Sequence, residues 1–214
     1  MTTALDELLV LTYGAIESSN VERWALEFGA PDAPPIAGTL RRSAYETDVV
    51  GNIHRSGQRY WLERNEAAVW ERPFPTGERG RPPAVDIALF SAVHARETRL
   101  EFGLYSTPGT APTKTKLRDD AAGLFDHLDT VEASYDTIEN YIVLWYETRS
   151  SSSTGRPTAA RRRTLRDKFV SHAEKVSDDA TGYSVDLLKC LAGPLFTPND
   201  EHHWVMIALF KLVA

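Results

Sequence analysis

Two apolar strand-like runs, each with one carboxylate inside it, constrain this chain more than any other feature. Ala84-Val85-Asp86-Ile87-Ala88-Leu89-Phe90 is followed, after a short polar connection over Ser91 to Arg96, by a second run over Thr98 to Tyr105 that carries Glu101. Apolar runs of this length bounded by polar residues read as buried strands. The simplest hairpin register closes the loop over Ser91 to Arg96, so Phe90 faces Glu97 and Asp86 faces Glu101. Both acids then stand opposite each other on one face, with Cβ atoms about 5 Å apart, where like charges destabilise a sheet. A divalent cation would offset that repulsion. Mg²⁺ is typically held by one or two carboxylates plus waters and substrate phosphates, and such an ion polarises a phosphodiester and generates hydroxide. The ordinary alternative is that one acid pairs with Arg72, Arg99 or a lysine. A slip of one residue would also turn one acid away.

The rest of the chain frames this pair. Leu5, Leu8, Leu9, Thr12, Tyr13 and Ile16 recur at helical spacing and predict a helix over about 3–18. Gly29 to Gly38 holds three prolines and reads as a loop. A weaker helical pattern follows within 39–54. Ala67 to Arg72 reads as a strand stopped by Pro73 and Pro75, and Thr76 to Pro83 as a loop. Lys116 to Val131 is amphipathic, with Leu117, Ala121, Leu124, Phe125 and Leu128 on one face. Tyr141 to Tyr146 is an apolar strand, Ser150 to Gly155 a Ser-rich linker, and Thr158 to Val176 a further amphipathic helix. Tyr183 to Leu191 and Trp204 to Val213 are strand-like. This order predicts an α/β fold, a mixed central sheet with helices on both faces. Residues 1–38 supply an N-terminal helix and Pro-rich loop, 39–149 the core, and 150–214 a C-terminal helix and strands completing the same domain.

Composition limits the partners. The net charge is −6, so nucleic acid can be attracted only by a local patch. No apolar run approaches the length of a membrane span. Met1 to Glu7 lacks the basic start of a signal peptide, so the expected location is cytoplasmic. The single cysteine, Cys190, sits in an apolar run and reads as a buried, inert thiol.

The stretch Glu71 to Leu89, with Pro83 three residues before Asp86, followed by Arg99-Leu100-Glu101-Phe102, resembles the PD-(D/E)XK restriction-endonuclease-like nuclease superfamily. The resemblance covers roughly Trp70 to Tyr146. It implies an αβββαβ core and metal-dependent phosphodiester hydrolysis of nucleic acid, with Mg²⁺ or Mn²⁺ as cofactor. It assigns Asp86 and Glu101 as metal ligands, joined by the backbone carbonyl of Phe102. The family's lysine, which positions or activates the attacking water and stabilises developing charge, falls on Gly103. Some relatives recruit that lysine from the following helix, where this chain has Lys114 and Lys116, with Thr115 as a candidate cap. Glu46 matches an extra acid of some relatives. Relatives that cut both strands are often homodimers. The missing lysine leaves a second reading open: a catalytically inactive nuclease-fold protein that binds nucleic acid or assembles with protein.

Arg156, Arg161, Arg162, Arg163, Arg166 and Lys168 form a basic stretch, mostly outside the Leu165/Phe169 stripe. Each arginine can neutralise a phosphate, although runs of charge are more commonly a solvated face. Arg79 and Arg81 flank the loop before Asp86 and suit a phosphate-binding rim. His127 and His172 read as surface or boundary residues. His202 and His203 adjoin Asp200 and Glu201 but would point apart in a strand. The five tryptophans read as core or boundary aromatics rather than a stacking platform.

Overall fold

The computed structural model describes residues 4–28, 40–74, 84–105, 112–128, 135–150, 158–195 and 202–214. Among these, the order is α1 (Ala4–Phe28), α2 (Leu40–Glu63), β1 (Ala67–Pro73), β2 (Ala84–Ser91), β3 (Arg96–Leu104), α3 (Lys114–Asp126), β4 (Thr137–Ser150), α4 (Ala159–Asp179), β5 (Ser184–Leu195) and β6 (His202–Val213). The strands form one six-stranded sheet in the order β1-β2-β3-β4-β6-β5. Only β3 and β4 run parallel; every other neighbouring pair is antiparallel. A parallel pair needs a crossover, and α3 lies in the segment that supplies it.

Helices cover both faces of the sheet, as the alternating pattern predicts. On one face, Leu8, Ile16, Val49, Ile53 and Trp61 of α1 and α2 pack on Ile87, Leu100, Phe102, Val143, Trp145 and Ile207. On the other, Leu117 and Leu124 of α3 with Phe169 and Val176 of α4 pack on Ile142, Leu144, Met206 and Phe210. The central strands β4 and β6 are buried on both sides, which is why their sequences are continuous apolar runs without alternation.

Both N-terminal helices run past the ends expected from the sequence. After Gly14 the sequence has no glycine or proline until Gly29, so nothing stops α1 near residue 18, and Ser19 and Asn20 are buried in its continuation. Gly51 and Gly57 weaken the intrinsic helical preference of α2. Tertiary packing overrides them, because Ile53 and Trp61 lie on its buried side. Ile53→Val should therefore destabilise the protein by about 0.5–1.5 kcal/mol in a denaturant titration; no change would place that face of α2 outside the core.

α3 begins at Lys114 with Thr113 as N-cap, so Thr115 lies inside the helix rather than capping it. β4 is longer than expected at both ends and takes in Ser150, the first residue assigned to the linker. The rest of that linker, the loop over 29–38 and the loop over 76–83 lie outside the described residues. His172 is buried rather than peripheral: its Nδ1 lies 2.8 Å from the Tyr105 hydroxyl, with the rings stacked. Burial lowers its pKa. Cys190 is half-buried rather than buried, and desolvation pushes its thiol up to about 11, which disfavours the reactive thiolate. Among the described residues no helix is long and apolar enough to cross a membrane.

Candidate active site

The β2–β3 hairpin adopts the register that its loop length predicts. Phe90 stands opposite Glu97 and Ile87 opposite Leu100, and the paired stretch stops there. One step further, the carboxyl groups of Asp86 and Glu101 meet and share a hydrogen bond. Arg72 and Arg99 both reach Glu97, at 3.5 and 2.8 Å, where a buried ion pair forms deeper in the hairpin.

Where β2 and β3 part, two backbone N–H groups of β3 lose their strand partner. Phe102 N–H donates to Asp86 Oδ2 at 2.7 Å, and Leu104 N–H donates to Glu46 Oε2 at 3.3 Å. Glu46, on α2, thus joins the site by satisfying a backbone donor that the diverging strand leaves open. Tyr105 N–H points the other way, to Trp145 O on β4. Strand alternation therefore directs the Phe102 carbonyl to the same side as its N–H, towards Asp86.

The lysine comes from α3. Lys116 Nζ lies 3.4 Å from Glu46 Oε1 and 3.2 Å from Asp120 Oδ1. Its stem crosses β3 at Gly103: a Cβ built there would stand 2.1 Å from Lys116 Cε and 2.9 Å from Nζ. A side chain at 103 and the Lys116 ammonium thus compete for one space. Lys114, two residues earlier, instead forms an exposed ion pair with Asp179 of α4 at 2.5 Å.

Among the described residues, the carboxylates of Glu46, Asp86, Glu101 and Asp120 gather around this ammonium. Burial raises Asp86, and raises Glu101 further with the neighbouring Asp86 and Asp120 charges. Burial also pushes Asp120 up to about 7, outweighing the attraction of Lys116. Burial opposes the charge on Lys116, but Asp120 and Glu46 hold its pKa above the usual lysine range. Among the described residues, Asp120 Oδ2 is buried without a hydrogen-bond partner. The surplus of buried oxygen donors suits a hard divalent cation, although among the described residues no three acid, His or Cys side chains are arranged as a ready-made metal cage.

Asp120 was not expected from the sequence, although its i,i+4 spacing from Lys116 is the signal for such a pair. The basic stretch is not part of this cluster. Arg161, Arg162, Arg163 and Arg166 are exposed on the first turns of α4. Asp179, which meets Lys114, closes the same helix, and Arg161 is about 27 Å from it at 1.5 Å per residue. Arg79, Arg81 and Arg156 lie outside the described residues. His203 is buried and paired with Glu147 at 3.0 Å, and the side chain of His202 lies outside the described residues. No family model, curated protein or solved structure matches the chain.

Proposed function

We propose that the protein is a divergent PD-(D/E)XK-type nuclease that hydrolyses nucleic-acid phosphodiesters with Mg²⁺ or Mn²⁺. The observation that carries this reading is the Lys116 ammonium in the space left by Gly103, beside the hydrogen-bonded Asp86–Glu101 pair. The succession α2-β1-β2-β3-α3-β4 agrees with the αβββαβ core that the resemblance implies. Asp86, Glu101 and the Phe102 carbonyl are the groups that would hold the ion. When bound, the ion supplies Lewis-acid polarisation of the phosphate and a water of lowered pKa.

The chain's own groups divide the remaining work. Lys116 stabilises charge developing on the phosphate oxygens and orients the attacking water. Asp120 and Glu46 position that ammonium from two sides. Phe102 N–H fixes the rotation of the Asp86 carboxylate. The test is cleavage of single-stranded DNA, duplex DNA and RNA with Mn²⁺. Wild type and Lys114→Ala should cleave alike, because Lys114 serves only an exposed pair. Lys116→Ala should lose roughly 10²–10³-fold. No cleavage of any substrate by pure wild type would leave the binding or assembly reading in its place.

A further inference from the structure

Trp61, Trp145 and Trp204 are buried in the core, but Trp70 is 40% exposed. It sits on the edge strand β1 directly opposite Ile87, one residue from Asp86. Its benzo edge lies over Gly51 of α2, where a Cβ would stand 3.4 Å from Cη2. The His54 imidazole, 6.0 Å away and hydrogen-bonded by Gln58, braces its flank. The indole is therefore propped against the helix while part of it stays open. A cavity of about 240 Å³ joins it to the acid cluster, lined by Glu46, Thr47, Val50, Trp70, Glu71 and Asp86. One wall is aromatic and apolar; the other holds the carboxylates beside which the phosphate would react.

We infer that Trp70 is a base-stacking platform that selects single-stranded nucleic acid, holding an unpaired base next to the phosphate at Asp86 and Glu101. This inference rests on the nuclease reading and names its substrate class. A base can offer its face to an indole only when it is out of a duplex stack, so the platform favours single strands or frayed ends over intact duplex. Stacking on one aromatic ring tolerates any base, so the preference is for strandedness rather than sequence. The acidic wall limits affinity unless a cation is present, which ties stacking to the metal-loaded state.

The test is fluorescence anisotropy of labelled single-stranded oligodeoxyadenylate, oligoadenylate and duplex DNA. The full chain is used with Ca²⁺, so that binding is read without cleavage. Trp70→Ala should weaken binding of both single strands about tenfold. Duplex binding should stay unchanged, and Trp70→Phe should retain most of the single-strand affinity. In cleavage assays Trp70→Ala should raise KM more than it lowers kcat. Thermal unfolding of both variants separates this effect from lost folding. Wild-type cleavage with single-strand affinity and KM unchanged in Trp70→Ala would overturn the platform and leave the nuclease reading standing. Trp70-dependent binding with no cleavage would uphold the platform and remove the hydrolytic reading. No binding of any oligonucleotide by the folded wild type would overturn both.

Discussion

Asp86→Asn is expected to abolish Mn²⁺-supported cleavage and, in metal-free buffer near pH 8, to make the protein more stable. The two effects share one cause. Asp86 and Glu101 are buried against each other, with Asp120 and Glu46 close by. Their folded-state pKa values are raised, so the folded protein holds these protons more tightly than the unfolded chain. The stability this contributes is fully present below the ordinary carboxylate pKa and is lost as pH rises through the folded value. For Asp120 that window runs from its usual value near 4 up to about 7. An amide at 86 still accepts from Phe102 N–H but carries no charge to bury. Its thermal midpoint should exceed that of wild type in EDTA at about pH 8. For a chain of this size the rise is about 2–4 °C per kcal/mol gained. The difference should shrink as the pH is lowered. Mn²⁺ should stabilise wild type and do little for Asp86→Asn. Activity should fall by at least roughly 10²–10³-fold. If the substitution lowers the midpoint in EDTA at every pH, and Mn²⁺ shifts both proteins equally, the carboxylate pair is a structural element and not a metal site.

Moving the lysine back should restore what its loss removes. Gly103→Ala places a methyl in the path of the Lys116 stem, so the ammonium must shift away from Glu46 and the acid pair. Because the displaced atoms are the end of a flexible side chain, the fold should survive while cleavage drops, by up to about 10²-fold. Lys116→Ala alone removes the charge and should cost as much or more. The informative variant is the double change Gly103→Lys with Lys116→Ala. It returns the cation to the strand position that the resemblance expects and clears the space it needs. Its activity should exceed that of Lys116→Ala by about tenfold or more, whereas Gly103→Lys in the presence of Lys116 should be poor, since two ammonium groups would compete for one site. This non-additivity is the signature of residues sharing one space. Equal activity of Lys116→Ala and the double variant would mean that position 103 does not face the reacting phosphate.

The acid pair was legible in the sequence because a strand has a period of two and the connection over Ser91 to Arg96 admits a simple register. Those two constraints place Asp86 opposite Glu101 whatever the rest of the fold does, and the observed pairing from Ser91–Arg96 to Ile87–Leu100 leads to that point. The inward faces of α3 and α4 were legible for a similar reason: Leu117, Ala121 and Leu124, and Leu165, Phe169 and Val176, repeat at helical spacing and are buried. The choice between Lys114 and Lys116 was not legible. At about 100° per residue, Lys116 lies about 100° to one side of Leu117 and Lys114 about 60° to the other. Both flank the apolar stripe, and a helical wheel does not say which flank faces β3. That was decided by how α3 docks on the sheet, by the missing side chain at Gly103, and by Asp179 drawing Lys114 outward. Docking likewise brought Glu46 from α2 to an N–H of β3 that is free only because β2 diverges there. It also set Asp179, not an arginine of the first turns of α4, beside Lys114. Local periodicity determines which face a residue takes; which faces meet is set by packing between elements far apart in the chain.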